Sequence, residues 1–331
     1  MRTGFRRLLP LLAAAASIGL SCGRKTEAPP SAADRPLTIA VIPKGMSHEF
    51  WKSIHAGAVR AGRELGVEIL WKGPQKEDDR AQQITVVEDV IARGVSGIVL
   101  APLDDRALAR PVQDAVAEKI PVLIIDSGLE GGGFLSFVAT DNYQGGVMAA
   151  RRLGELLGGR GRIFLIRYQE GSASTMAREL GFLETVGSEF PGLVLLSKDQ
   201  YAGATTETAF QLGENLLGRF PDVDGVFCPN ESSTFGMLRA LQESRLAGKV
   251  KFVGFDASSK LAQGLRDGHL HGLILQNPVK MGYLGVSLIV QAIRGGSIPG
   301  RVDTGVYLAT RENMDSDEIR ALLSPDLTIL D

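Results

Sequence analysis

The sequence predicts an α/β protein made of two doubly wound parallel-sheet lobes. Three observations point to it. From Leu37 onward, short apolar runs alternate with stretches of helical period. The runs are apolar at successive positions rather than at every second one, the mark of strands covered on both faces. The alternation also restarts after Asp141, so the chain holds two halves of the same pattern.

In the first half, Leu37–Ile42 reads as a strand and Glu49–Leu65 as a helix stopped by Gly66. Val67–Trp71 is a strand, and Asp79–Arg93 sets Ile84, Val87 and Ile91 on one helical face before Gly94. Gly97–Ala101 is a strand, Arg106–Glu118 a helix and Pro121–Ile125 a strand. In the second half, the helices are Tyr143–Leu157, Ala177–Phe190, Thr205–Phe220, Thr234–Glu243, Lys260–Asp267 and Lys280–Arg294. Between them lie strands Arg162–Ile166, Leu193–Ser197, Gly225–Cys228, Val250–Phe255 and His271–Leu275. A chain of 331 residues, 44% hydrophobic and 22% charged, is long enough for two such domains.

Ahead of this pattern stands an export segment. Arg2, Arg6 and Arg7 precede an apolar stretch, Leu8 to Leu20, that is too short to span a bilayer comfortably. It ends in Gly19-Leu20-Ser21-Cys22, which resembles a lipoprotein cleavage box although Gly19 stands where leucine is usual. We therefore expect residues 1–21 to be a signal peptide, Cys22 to be lipidated, and residues 22–35, rich in Pro, Ala and Ser, to be a flexible tether. The other reading is a secreted protein with a spare cysteine. The only other cysteine, Cys228, sits in an apolar strand pattern, so no disulfide is expected.

The formal charge is −2 with no basic cluster, which leaves nucleic acid without an electrostatic footprint. No phosphate loop, metal-ligand spacing or nucleophile–base pair stands out, so neither cofactor nor metal is expected. His269 and His271 are two apart, too little for a metal site alone.

Polar residues gather at the carboxyl ends of the strands, where open α/β sheets bind ligands. Asp126-Ser127 follows Ile125, Thr140-Asp141-Asn142 follows Ala139, Asn230-Glu231 follows Pro229, Asp256 follows Phe255 and Gln276-Asn277 follows Leu275. Each taken singly reads as a helix cap or turn former. Their recurrence in both halves favours a shared cleft.

These residues resemble the periplasmic sugar-binding proteins of ABC transporters, ribose-binding type, which share a core with LacI-type repressors. The likeness runs from Leu37 to about Val306. It rests on Phe50-Trp51, Asp126, Thr140-Asp141-Asn142, Ala177-Arg178-Glu179-Leu180-Gly181-Phe182, Val226 to Glu231, Val253-Gly254-Phe255-Asp256 and Gln276-Asn277-Pro278. The resemblance implies the periplasmic binding protein type 1 fold. One lobe would hold 36–139 plus 277–302, the other 142–275 plus 305–331, with crossovers near Thr140, Gln276 and Arg301–Gly305. It implies a sugar or polyol ligand, an ABC permease partner, hinge closure and a monomer.

Carried over by position, Phe50 and Trp51 would sandwich the sugar ring. Asp126 and Asp256 would accept its hydroxyls, Arg178, Asn230 and Gln276 would donate to it, and Tyr201 would line the site. Core packing is the other reading for the aromatic pair. Two positions depart from the ribose pattern: Ser127 stands in place of an arginine and His48 in place of an asparagine, with Glu49 replacing a proline. Two ribose-specific hydrogen-bond partners have thus changed, and the expected ligand is a polyhydroxylated compound, a monosaccharide or related polyol. A glycosidase using Asp126 with Asp256, a regulator core and a sensor that feeds a chemoreceptor or kinase are the rival readings. The regulator would need a helix-turn-helix where the export segment stands.

Overall fold

A computed structural model describes residues 36–331. The expected signal peptide, Cys22 and the tether lie outside the described residues. Two six-stranded sheets form the molecule, with strand orders β11-β5-β4-β3-β1-β2 and β12-β10-β9-β8-β6-β7. The first sheet contains β1 (Thr38–Ile42), β2 (Glu68–Trp71), β3 (Gly97–Leu100), β4 (Val122–Ile125), β5 (Phe137–Ala139) and β11 (Arg301–Asp303). The second contains β6 (Arg160–Arg167), β7 (Gly192–Tyr201), β8 (Gly225–Phe227), β9 (Lys251–Phe255), β10 (Gly272–Leu275) and β12 (Tyr307–Ala309). All pairings are parallel except β10 with β12. The chain changes sheet three times, between β5 and the helix at Asn142, after β10, and between β11 and β12. We call the two sheets with their helices the first and second lobes.

The central strands are buried on both faces because each face meets helices. In β1, Ile39 and Val41 enter one core layer while Ala40 and Ile42 enter the layer across the sheet. In β6, Phe164 and Ile166 face one layer, and Ile163 and Leu165 the other. The first lobe's helices are α1 (Glu49–Leu65), α2 (Arg80–Ala92), α3 (Ala109–Ala117) and α9 (Pro278–Ile293). The second lobe's are α4 (Asn142–Leu156), α5 (Ala173–Glu189), α6 (Thr206–Arg219), α7 (Glu231–Glu243), α8 (Ser259–Arg266) and α10 (Asp317–Leu323).

Three elements differ from the sequence expectation. Helix α5 begins at Ala173, a turn before Ala177, and α7 begins at Glu231 because Asn230 caps it, accepting from the Ser233 N–H. Strand β7 runs on to Tyr201 instead of ending at Ser197, with register irregularities against β6. After the last crossover, β12 joins the second sheet and α10 packs on its core, and the turn Thr328–Leu330 lies on α1, where Arg63 donates to the Ile329 carbonyl at 3.0 Å.

Two helix crossings set how closely the layers approach the strand ends. In the first lobe, Gly57 of α1 and Gly282 of α9 each lie against the other helix's backbone; an added methyl would sit 2.0 Å from the Val279 and Ile54 carbonyl oxygens respectively. In the second lobe, Gly146 of α4 and Gly181 of α5 do the same, with 1.9 Å to the Arg178 oxygen and 2.2 Å to that of Tyr143. Gly146→Ala should therefore cost about 1–3 kcal/mol by overpacking. Gly187→Ala, on the open face of α5 with nothing near, should instead gain up to about 1 kcal/mol from helix propensity. Urea unfolding of the two variants checks this; equal stabilities would show that the α4–α5 approach is not tight.

Candidate functional site

The strand ends of both sheets converge on one cleft between the lobes. From the first lobe it is lined by Lys44, His48, Phe50, Trp51, Glu77 and Asp126, and from the second by Tyr168, Ser174, Thr175, Arg178, Asn230, Glu231 and Asp256, with Gln276 at a crossover. Of the residues anticipated from sequence, His48, Phe50, Trp51, Asp126, Arg178, Asn230, Asp256 and Gln276 meet there.

Asp126 and Asp256 are related positions of the two sheets. Asp126 follows β4 and Asp256 follows β9, and both sit in the left-handed region, at φ 62° and φ 70°. Aspartate tolerates that region better than most residues. Each backbone N–H donates to the neighbouring strand, Asp126 to Val138 at 3.1 Å and Asp256 to Ile274 at 2.8 Å. Neither side chain caps the helix that follows its own strand; both line the cavity, and Asp256 Oδ2 also accepts from the Glu231 N–H at the start of α7 at 3.0 Å. The other polar strand ends divide differently. Asp141, Asn230 and Asn277 cap α4, α7 and α9. Asn230 both caps and lines the space, its amide nitrogen donating to Ser232 Oγ at 3.0 Å.

Each buried charge has a partner, as a low-dielectric site requires. Lys44 Nζ lies 3.1 Å from Asp126 Oδ2. It also donates to Ser172 Oγ at 3.2 Å and Ser174 Oγ at 3.0 Å in the other lobe, which uses all three of its protons. Arg178 is 2% exposed. Its Nε donates to Asn142 Oδ1 and its Nη1 to the Pro229 carbonyl, both at 2.8 Å. Nη1 is 3.9 Å from Asp256 Oδ2, and the guanidinium lies over the Phe255 ring at 3.8 Å. Burial pushes the Asp256 carboxyl above its usual range, with Arg178 and Gln276 opposing. Gln276 Nε2 donates to Asp256 Oδ1 at 2.7 Å, whereas its buried Oε1 has no partner.

Phe50 and Trp51 sit between core and cavity. They are buried in the first-lobe core, packed edge to face at 4.9 Å, and both line the cavity. Two anticipated residues lie elsewhere. Tyr201 is 45% exposed and hydrogen-bonds Arg167 at 3.1 Å, because β7 continues to it and keeps it on a sheet edge. Tyr168, at the end of β6, lines the space instead. Ser127 is fully buried behind the wall, its Oγ accepting from the Ser174 N–H of the other lobe at 3.0 Å.

Sequence reasoning missed Lys44, Glu77, Tyr168, Ser174, Thr175 and Glu231. Glu231 stood beside Asn230 at a strand end and Lys44 just past β1, so both carried a positional signal. Glu77 lies in the loop between β2 and α2 and carried none.

The lobes also exchange carboxylates at helix N-termini. His48, the residue before α1, makes no side-chain cap. Glu231 of the other lobe supplies it, accepting from the Glu49 and Phe50 N–H groups at 3.3 and 3.0 Å. Glu49 in turn accepts from the Ser259 N–H and hydroxyl at the start of α8, both at 2.9 Å.

Protonation in this cluster is displaced. Burial acts to discharge His48, but the adjoining Glu77 carboxylate, with Glu231 and Asp256 beyond, raises its pKa to about 9. Burial lifts Glu231 to about 7. Because the folded pKa of His48 lies above its unfolded value, its contribution to stability is complete below pH 6.5 and lost as pH rises through 9. Thermal stability should thus fall from pH 7 to 9, by about 3 kcal/mol at most. His48→Asn should flatten that limb. Below pH 6.5 the trend is mixed, since His271, held at about 4 by burial, opposes Glu231. Calorimetry across pH 5–9 checks this; an unchanged slope in the variant would show that His48 is neutral.

A family model described as a periplasmic binding protein domain matches residues 39–297. A ribose import binding protein of Bacillus subtilis is 26% identical over 279 residues, covering 84% of this chain and 88% of its own. A carbohydrate transporter solute-binding protein from Agrobacterium radiobacter, solved with D-arabinose, superposes with a TM-score of 0.85 at 34% identity, covering 87% of this chain and 99% of its own. A solute-binding protein from Agrobacterium vitis with bound D-fucose gives 0.84 at 32% identity, covering 87% and 100%. With its two parallel-sheet lobes and a polar cavity between them, the chain belongs to the periplasmic binding protein family.

Proposed function

We propose that the protein captures a monosaccharide or related polyol in the interlobe cavity, closes over it by hinge motion and delivers it to an ABC importer. The observation that carries this is the composition of one interlobe cleft: the Phe50–Trp51 pair set against Asp126, Arg178, Asp256 and the unpartnered Gln276 Oε1. A sugar offers C–H faces to aromatic rings and hydroxyls that both donate and accept. The carboxylates and the Gln276 amide oxygen take hydroxyl protons, while the guanidinium donates. In a dry cavity each unmatched polar group costs about 1–3 kcal/mol, so the hydroxyl pattern selects the ligand. The relatives named for ribose, D-arabinose and D-fucose support the ligand class. With Ser127 behind the wall and His48 in it, the polar pattern differs from the ribose arrangement that the resemblance implied. The chain binds without turning its ligand over, and Cys22 carries a lipid that holds it at the membrane face.

A thermal-shift screen over pentoses, hexoses and alditols should find at least one compound that raises the melting temperature with concentration, as mass action requires. A screen with no hit would remove the basis of this reading. With the best ligand, Asp256→Asn keeps the volume but removes a charge paired with Arg178. It should weaken calorimetric affinity about 10- to 100-fold, roughly 1.4–2.7 kcal/mol. Affinity equal to wild type would move the ligand elsewhere. For the anchor, Cys22→Ala should abolish partitioning into a detergent phase, and unchanged partitioning would exclude the lipid.

A further inference from the structure

One buried carboxylate touches the cavity walls of both lobes. Glu77 is 6% exposed and sits on the loop between β2 and α2. Its Oε1 accepts from Trp51 Nε1 at 2.7 Å and pairs with His48 Nδ1. Its Oε2 accepts the Tyr168 hydroxyl at 2.8 Å, and its backbone oxygen accepts from Gln169 Nε2 at 2.9 Å. Trp51 and His48 line the cavity from the first lobe, and Tyr168 lines it from the second. The two oxygens thus hold three cavity-lining donors, divided between the lobes.

This arrangement has two physical consequences. The Trp51 indole N–H is buried and would be costly to leave unpaired. Its bond to Glu77 therefore fixes the ring plane that the cavity presents. Tyr168 reaches Glu77 only when the second lobe lies against the first. The bond that completes the Glu77 shell therefore forms on closure, while the bonds that aim Trp51 and His48 lie within the first lobe.

We propose that Glu77 is a positioning residue that couples the orientation of Trp51 and His48 to lobe closure through the Tyr168 hydroxyl. Glu77 acts through these three side chains, and the inference rests on the sugar-binding reading above. A carboxylate is suited to the task because it only accepts and can serve donors at both oxygens. An amide would turn an N–H donor toward one of them. Since the Tyr168 bond follows encounter, its loss should speed ligand escape and leave capture unchanged.

The test is stopped-flow fluorescence on the full-length protein, with Trp51 as reporter. The probe is whichever pentose, hexose or alditol of the thermal-shift screen most raises the wild-type melting temperature. Tyr168→Phe and Glu77→Gln should each raise the dissociation rate about tenfold or more, with association within about twofold of wild type. The double variant should dissociate no faster than Glu77→Gln alone, because the hydroxyl acts only through that carboxylate. A merely structural role would lower the melting temperature of each variant without that non-additivity. Multiplicative effects on dissociation, or a Tyr168→Phe rate equal to wild type, would overturn the inference while leaving sugar binding intact. If no pentose, hexose or alditol of that screen binds wild type, the sugar reading fails and this inference falls with it.

Discussion

Arg178 is the cation on which the second half of the site is built. A guanidinium removed from water must place its N–H groups on acceptors or lose several kcal/mol. Here the acceptors come from the start of α4 through Asn142, the end of β8 through Pro229 and the end of β9 through Asp256. The ring of Phe255 covers one face of the cation. Satisfying one side chain thus fixes three separate chain segments relative to one another. The α4–α5 crossing makes this possible, since Gly146 lets the helix that carries Arg178 lie directly against the helix that carries Asn142. Asp256 is held in turn and presents its carboxylate to Gln276 and to the Glu231 N–H.

The first lobe repeats the plan with a different cation. Asp126 occupies the position in its sheet that Asp256 occupies in the other, with the same left-handed backbone and the same ladder bond to the next strand. Its partner Lys44 comes from the end of β1 and reaches across to Ser172 and Ser174. The first lobe's charge is therefore satisfied partly by the second lobe. The same holds for the α1 N-terminus, covered by Glu231, and for Glu77, completed by Tyr168. The lobes are complementary in charge and hydrogen bonding even before a ligand is considered.

The βαβ alternation was legible because its physics is local: apolar runs make strands, and glycines or caps end helices. The same locality explains what was misread. Tyr201 was placed in the cleft by the resemblance alone, and a strand longer than the expected Leu193–Ser197 carries it to an exposed sheet edge. Asp141 and Asn277 look like Asp126 and Asp256 in sequence, since all follow strands. What separates capping from cavity residues is backbone conformation, which no pattern of residue types displays. Glu77 was invisible for a related reason. Its partners are 26, 91 and 92 residues away along the chain, and only the packed lobes bring them together.

The substitution at Ser127 shows how a small change redirects a site. An arginine after the first-lobe acid, as in the ribose-type pattern, would add a charged fork to the wall. Serine cannot reach so far, and its hydroxyl instead receives the Ser174 N–H at the start of α5. The acid still requires a cation, and Lys44 provides one whose three donors are already committed to Asp126, Ser172 and Ser174. The first lobe's positive charge is thereby spent between the lobes rather than on a ligand. The groups left open toward the cavity are then the acceptors Gln276 Oε1 and the unshared face of Asp126, with the unshared N–H groups of Arg178 as donors. Such a wall favours an uncharged, hydroxyl-rich guest that both donates and accepts, since the cations Lys44, His48 and Arg178 each already face a carboxylate of the cavity.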